Sequence, residues 1–251
     1  VNAPYALFRG PSDNPGQVPD ADTLTDTLRA IGLDGDEEIV ITYAGASKSD
    51  FGAAARVYWT LKSAGLDDLS ILNGGIAAWQ EAGRTLSTDP AEPDAGTVTV
   101  SFTDQWWATE ADVQAAIAEG SDTLLLDARP ESFWNGNASH SAAARPGTLP
   151  QSQYFEHANW FGDGPAIVDA TAARDLAQAQ GFTGAETLVS FCNTGHWAAT
   201  NWFALSELAG IESVKLYPES MVGWSNAGNE MANVPGPLRS LWNQVRGIFR
   251  G

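Results

Sequence analysis

Cys192, the one cysteine of the chain, stands where a short apolar run, residues 188–191, ends and a helical pattern begins near residue 198. In a parallel α/β sheet, ligands bind at the carboxyl ends of strands, and a loop that enters a helix turns its backbone N–H groups toward a common centre. Gly195 allows this loop to curl tightly. N–H dipoles and a helix N-terminus favour a thiolate, so the position predicts a nucleophile. The alternative is a cysteine that only packs at a strand end.

The loop after the cysteine reads Asn-Thr-Gly-His-Trp-Ala over residues 193–198 and contains no arginine. Phosphatases and arsenate reductases that use a cysteine have an arginine in this loop to clamp the oxyanion, which disfavours both activities. His196 could be a cation near neutral pH or donate a hydrogen bond to a bound substrate; alternatively, its ring packs on Trp197 and faces solvent. We expect Trp197 to give the site an apolar wall.

Short apolar runs alternate with helical stretches in both halves of the chain, which predicts βαβ units, a parallel sheet covered on both faces and the α/β class. The predicted strands are residues 38–43, 69–72, 123–127, 188–191 and 214–217. The predicted helices are residues 51–64 and 198–209, with a further helix that Thr109 and Asp112 begin and that ends near residue 119.

The two halves resemble each other, which indicates an internal duplication. Residues 69–83 align with residues 214–228 at a constant offset of 145, which places Trp79 on Trp224. We expect both tryptophans to be core anchors. A linker rich in proline and acidic residues lies at residues 87–97. The predicted division is therefore an N-terminal domain at residues 1–90, a C-terminal domain at 91–236 and a tail helix at 237–251.

Only the second half carries the thiol, because Cys192 aligns with Ala44 in the first half. The first half also lacks counterparts of the elements that precede Gln153, because Val1 aligns near that residue. A sheet without its leading strands exposes hydrogen-bonding edges. We therefore expect an incomplete first domain, a chain that starts inside that domain, and a companion N-terminal fragment of the same protein.

These features together resemble the tandem-domain rhodaneses, a family of sulfurtransferases. The resemblance covers nearly the whole chain and depends on an ordered set of motifs. They are Asp-Ala-Arg at residues 127–129, Cys-x-x-Gly-x-x-Ala at 192–198, the glycine-rich segment that ends at Trp79, its partner that ends at Trp224, and a first copy without the cysteine. The resemblance implies two rhodanese-like domains, each with a central, mostly parallel sheet between helices.

The resemblance also implies a double displacement through a persulfide on Cys192, with a small sulfur donor, a thiophilic acceptor such as cyanide or a thiol, and no metal or organic cofactor. The backbone of the loop would bind the transferred sulfur; its residues are Asn193, Thr194, Gly195, His196, Trp197 and Ala198. Asp127 and Arg129 match positions that brace the loop, with Arg129 also near the substrate, and Ser220 matches a hydroxyl near the persulfide. The alternative for Asp127 and Arg129 is a surface ion pair.

The sulfur donor is left open by two departures from the family. Thiosulfate-using members have basic residues at the positions of Thr194 and Phe133. Arg145, which shares a loop of small residues with His140, could replace the missing arginine if that loop folds over Cys192; otherwise it is an ordinary exposed arginine. The second hypothesis for function is a persulfide-relay or protein-binding module with little turnover of small donors.

The charge of the chain excludes other classes of partner. It has 31 acidic and 13 basic residues, a formal net charge of −18, and no apolar run long enough to span a bilayer. Such a surface repels nucleic acid and anionic lipid. The tail is a predicted basic amphipathic helix that would dock on the acidic body, with a membrane surface as the alternative. The compartment is left open between periplasm and cytoplasm, with a lean to the periplasm.

Overall fold

The computed structural model describes residues 3–119 and 122–236, so the predicted tail helix at 237–251 lies outside the described residues. The first half contains α1 (Ala21–Ala30), β1 (Ile39–Ile41), α2 (Phe51–Ser63), β2 (Leu69–Ile71) and α3 (Gly75–Glu81). The second half contains α4 (Glu110–Glu119), β3 (Thr123–Asp127), α5 (Glu131–Trp134), β4 (Gln153–Tyr154), α6 (Ala170–Ala179), β5 (Thr187–Phe191), α7 (His196–Phe203), β6 (Val214–Leu216) and α8 (Ser220–Asn226).

The strands form parallel sheets with helices on both sides, which confirms the α/β class. Strands β1 and β2 pair in the first half, and the sheet of the second half has the order β4-β3-β5-β6. The predicted capping of α4 is also confirmed, because the N–H of Thr109 donates to Oδ2 of Asp112 at 2.7 Å and the N–H of Asp112 donates to Oγ1 of Thr109 at 3.2 Å.

Alternation along β5 divides the core of the second half into two layers. Val189 and Phe191 face a cluster that includes Trp224 and residues of α4. Leu188, on the opposite face, belongs to a larger cluster that continues into the first half. The apolar core is therefore continuous across the predicted domain boundary, and the division into domains stays a prediction.

Trp79 corrects the expectation that both repeated tryptophans are core anchors. Trp224 is 2% exposed, whereas Trp79 is 39% exposed and its indole N–H donates to the carbonyl of Thr85. Trp224 packs in the cluster that α4 covers. In the described residues of the first half, no helix corresponds to α4, so nothing covers Trp79 in the same way.

The offset of 145 found in the sequence also relates the elements of the two halves. It carries β2 onto β6, α3 onto α8, and α2 onto α7 together with the π-helical segment Ala204–Leu208 that continues it. Helix α7 begins at His196, two residues before the predicted start. The equivalent helices α2 and α7 pack against each other, with Phe203 in edge contact with Phe51 and Tyr58. The halves therefore meet along the helices that follow the two equivalent loops.

Candidate active site

Cys192 directly follows β5, which lies between β3 and β6 in the sheet. Its side chain is 1% exposed and lines a small cavity of about 190 Å³. The residues around this cavity are Arg9, Ser49, His140, Cys192, Asn193, Thr194, His196 and Trp197. None of these side chains is acidic, although the chain as a whole has a net charge of −18. Both halves contribute to the cavity, since Arg9 and Ser49 come from the first half.

The start of α8 fixes the backbone of the cysteine loop. The N–H of Cys192 donates to Oγ of Ser220 at 3.0 Å, and that hydroxyl donates to the carbonyl of Tyr217 at 2.8 Å. The carbonyls of Cys192 and Asn193 accept from the N–H groups of Met221 at 3.1 Å and Val222 at 3.0 Å. Ser220 therefore anchors the cysteine through the backbone.

Three N–H groups of the loop are not used in the fold. In the part of the chain that the structure describes, no acceptor bonds the backbone N–H of Asn193, Thr194 or Gly195. Gly195 has φ +73°, and a Cβ there would overlap Nη1 of Arg56 and lie 2.7 Å from the carbonyl oxygen of Pro218. Only glycine fits this turn without strain, so the loop can present its N–H donors next to the sulfur.

Asp127 and Arg129 form a buried ion pair, so the alternative of a surface pair is wrong. The two side chains are 0% and 2% exposed, and Nη2 of Arg129 lies 2.6 Å from Oδ2 of Asp127. Nη1 of Arg129 also donates to Oδ1 of Asn193 at 3.3 Å, and Thr148 donates its hydroxyl to Asp127 at 2.7 Å. The pair therefore braces the loop at Asn193. Arg129 is not among the residues that line the cavity.

His196 is a buried, hydrogen-bonded side chain, and of the two roles that the sequence left open, a cation at neutral pH is wrong. Its Nε2 lies 2.7 Å from the carbonyl oxygen of Ser49, and its Nδ1 lies 3.2 Å from the hydroxyl of Tyr5. Because a carbonyl only accepts, Nε2 carries the proton and Nδ1 accepts from Tyr5. The pKa of His196 is lowered to about 4, mainly by burial and also by the nearby charges of Arg9, His157 and Arg56. The hydrogen bond to the carbonyl of Ser49 acts in the opposite direction and raises it.

The alternative in which His196 packs on Trp197 and faces solvent is also wrong. The indole of Trp197 stacks on His157 with ring centroids 5.1 Å apart, and its N–H donates to Oγ of Ser49 at 2.7 Å. Trp197 lines the cavity as expected, and Phe133 meets it edge-on at 6.0 Å. Ala198 is fully buried, and its carbonyl accepts from the hydroxyl of Ser190 at 3.0 Å.

The loop of small residues does approach Cys192, but through His140 and not through Arg145. The guanidinium of Arg145 donates to the carbonyls of Gly228, at 3.3 Å, and Asn229, away from the cavity. His140 lines the cavity, and its Nδ1 accepts from the N–H of Ala142 at 3.1 Å. Burial lowers the pKa of His140, as does the charge of Arg9. The neutral ring therefore keeps its proton on Nε2, which makes it a donor.

Arg9 is the cation of the cavity that the sequence analysis missed. Its Nε donates to the carbonyl of Pro15 at 3.0 Å, and its guanidinium lies 5.1 Å from the ring centroid of Tyr5. Within the described residues, no carboxylate pairs with it. Nothing in the local sequence relates Arg9 to Cys192, because the fold alone brings the two segments together.

Within residues 3–119 and 122–236, no group of three or more His, Cys, Asp or Glu side chains could hold a metal ion. No helix in those ranges combines the length and the apolar character that a membrane span requires.

Residues 109–227, which include Asp127, Cys192 and Ser220, match the family described as "Rhodanese-like domain". A Mycobacterium bovis protein named "Putative thiosulfate sulfurtransferase 1" is 30% identical over 220 residues, which cover 84% of this chain and 75% of that protein. The chain belongs to the rhodanese family. A second relative of this rhodanese, "Sulfur carrier protein TtuD" from Thermus thermophilus, is 27% identical over 208 residues, with 79% of this chain and 72% of the relative covered.

Solved structures agree with the fold of this rhodanese. The 3-mercaptopyruvate sulfotransferase SseA from Escherichia coli superposes with a TM-score of 0.75 at 22% identity, over 86% of this chain and 79% of SseA. The anaerobic ergothioneine biosynthesis enzyme from Chlorobium limicola gives a TM-score of 0.79 at 18% identity, over 92% of this chain. This rhodanese spans 59% of the length of that enzyme.

Proposed function

We propose that this chain is a sulfurtransferase that moves a sulfane sulfur from a small anionic donor, such as thiosulfate, to a thiophilic acceptor through a persulfide on Cys192. The observation that carries the proposal is the position of Cys192 in a small cavity without acidic side chains, followed by three loop N–H groups that bond no acceptor in the described chain. Family membership and the name of the M. bovis relative support the same reaction class.

In the first step, the Cys192 thiolate attacks the outer sulfur of thiosulfate. A sulfur–sulfur bond forms to the enzyme, and sulfite leaves with the electron pair of the bond that breaks. The enzyme then carries a persulfide anion, which needs hydrogen-bond donors and no general base. The N–H groups of Asn193, Thr194 and Gly195 are the donors assigned to that anion.

In the second step, cyanide or a thiolate attacks the outer sulfur of the persulfide. The bond to Cys192 breaks and returns its electron pair to the cysteine, which is again a thiolate. Electrons balance over the two steps, so no redox partner is required. The loop N–H groups can serve both steps, because they would donate hydrogen bonds to the persulfide anion before sulfur transfer and to the thiolate after it.

Recognition of the donor is assigned to Arg9 and His140. Arg9 provides a positive charge at the cavity, and the Nε2 proton of His140 provides a neutral donor. At about 190 Å³, the cavity is smaller than the pockets that hold drug-sized ligands, about 300 Å³ and above, which favours a small donor.

A persulfide-relay protein is the second candidate. It is favoured by Thr194 and Phe133, which replace the basic residues of thiosulfate-using members, and by the sulfur-carrier name of the Thermus relative. In that case Cys192 would hand sulfur to a partner protein and turn over small donors slowly.

Thiocyanate formation from cyanide distinguishes the candidates when it is measured with thiosulfate and with 3-mercaptopyruvate. The proposal expects steady turnover with one of these donors and its loss in Cys192→Ser, with an unchanged circular dichroism spectrum as the control for folding. A chain that accepts one sulfur per cysteine but does not turn over supports the relay. Equal turnover in Cys192→Ser would contradict both.

A further inference from the structure

Arg56, in α2 of the first half, is a fully buried arginine without a carboxylate partner. The ion pairs found among the described residues are Lys62 with Glu207 and Arg129 with Asp127, and neither includes it. Its Nη2 donates to the carbonyl of Gly16 at 2.8 Å, whereas Nε and Nη1 bond no acceptor in the described chain. A buried cation is costly unless an anion or a full set of acceptors compensates it.

The guanidinium of Arg56 lies directly beneath the cysteine loop. Its unbonded Nη1 is the atom that a Cβ at Gly195 would overlap, and the carbonyl of Pro218 closes the same space. A Cβ at Gly16, whose carbonyl accepts from Nη2, would overlap the carbonyl oxygen of Pro218, so a side chain is excluded there too. The glycine at position 195 lets the charged group of α2 approach the turn that follows Cys192.

Arg56 carries a positive charge beneath the cysteine loop. Burial lowers the pKa of Arg56 to about 10, so the side chain stays protonated at neutral pH. Burial raises the pKa of Tyr5, so this neighbouring hydroxyl is neutral at that pH. Because Nη1 of Arg56 is unbonded and lies against Gly195, an anion bound at the cysteine loop could compensate the charge.

The repeat provides an internal comparison. The offset of 145 places Arg56 on Asn201 of α7. Asn201 accepts from the indole N–H of Trp160 at 2.8 Å and donates to the carbonyl of Phe155 at 3.1 Å. A neutral side chain with its hydrogen bonds complete thus suffices at the equivalent position, so the packing of these helices does not itself require a cation.

We propose that Arg56 is a positioning residue for the cysteine loop: its charge stabilises the Cys192 thiolate and the persulfide that replaces it, from the half of the chain that lacks the cysteine. The proposal rests on the proposed function and deepens it. A loop that contains no arginine could then stabilise an anionic sulfur, because Arg56 of the neighbouring helix α2 provides the positive charge.

Alkylation of the intact chain by iodoacetamide tests this role, since the reagent is neutral and reports the thiolate of the single cysteine. The variants are Arg56→Gln, which removes the charge, and Arg56→Lys, which keeps it. Lys62→Gln is the matched control, because it removes a cation of the same helix that pairs with Glu207. Rates are measured at about pH 7 and at about pH 10, above the ordinary thiol range near 8.5.

The expected result is a rate about ten-fold lower for Arg56→Gln near pH 7, with recovery close to the wild-type rate near pH 10, where thiols are ionised in any case. Arg56→Lys and Lys62→Gln should stay within about three-fold of wild type near pH 7. An unchanged rate in Arg56→Gln, or an equal loss at both pH values, would overturn the proposal.

If Arg56→Gln does not fold, Arg56→Lys still tests the proposal. An alkylation rate close to that of wild type supports the role of the charge, and a ten-fold lower rate with a native circular dichroism spectrum overturns it. The proposed function fails separately, because it predicts sulfur transfer by wild type whatever the Arg56 variants do.

Discussion

The backbone N–H of Cys192 donates a hydrogen bond to the hydroxyl of Ser220, 3.0 Å away at the start of α8. Ser220 has φ +53°, a left-handed conformation that is costly for any residue with a side chain. This backbone strain lies at Ser220, the same residue that bonds the backbone of Cys192. Ser220 is therefore a structural brace for the candidate nucleophile.

Ser220→Ala should destabilise the chain by about 1–3 kcal/mol, because it leaves the buried N–H of Cys192 without an acceptor. Ser220→Gly is the matched variant: it also removes the hydroxyl, but it relieves the strain at φ +53°, so its loss should be smaller. Urea unfolding measures both. Equal stability of wild type and Ser220→Ala would show that the bond does not hold the loop.

Arg9→Gln should raise the KM for thiosulfate about ten-fold and change kcat less, because the cation acts on an anionic donor before sulfur transfer. Arg84→Gln removes an exposed arginine of the same half and should leave KM unchanged. The measurement is the initial rate against thiosulfate concentration at low and high salt. The same KM in Arg9→Gln and wild type would remove Arg9 from donor recognition.

His196 makes the free energy of unfolding depend on pH. Its pKa is about 4 in the fold against an ordinary value of 6.5, so the unfolded chain takes up the proton first as the pH falls. Its contribution is present above pH 6.5 and is lost between about 6.5 and about 4. His157, also with a pKa lowered to about 4 by burial, contributes with the same sign.

His196→Gln should reduce this acid-induced loss, since glutamine keeps a donor for the carbonyl of Ser49 and does not titrate. His157→Gln is the matched comparison and should reduce it in the same direction. Urea midpoints between neutral pH and the acid limit measure the effect. If the loss in His196→Gln equals that of wild type, His196 is not buried in its neutral form.

Local patterns in the sequence account for the elements that surround Cys192. The predicted strand at 123–127 has the same bounds as β3, and the predicted helix at 51–64 ends one residue after α2. These predictions succeed because the hydrophobic pattern of a strand, a glycine-containing turn or a helix is formed by residues that are adjacent in the sequence. The internal duplication, which depends on the order of such elements, stays a prediction.

The parts of the site that come from the first half could not be predicted in this way. Arg9, Ser49 and Arg56 belong to the first half, which packs on the second half through α2 and α7 and so comes close to the cavity and its loop. The same packing buries His196 against Ser49 and Tyr5, which is why the expected cation is neutral. Arg145 was a reasonable candidate by sequence, but carbonyl groups beyond α8 hold it away from the cavity.

The mass of the intact chain, measured after incubation with thiosulfate and removal of the donor, tests the persulfide on Cys192 directly. Wild type should gain the mass of one sulfur atom, added cyanide should remove it with the release of one equivalent of thiocyanate, and Cys192→Ser should gain nothing. No mass gain in wild type, or the same gain in Cys192→Ser, would contradict a persulfide on Cys192.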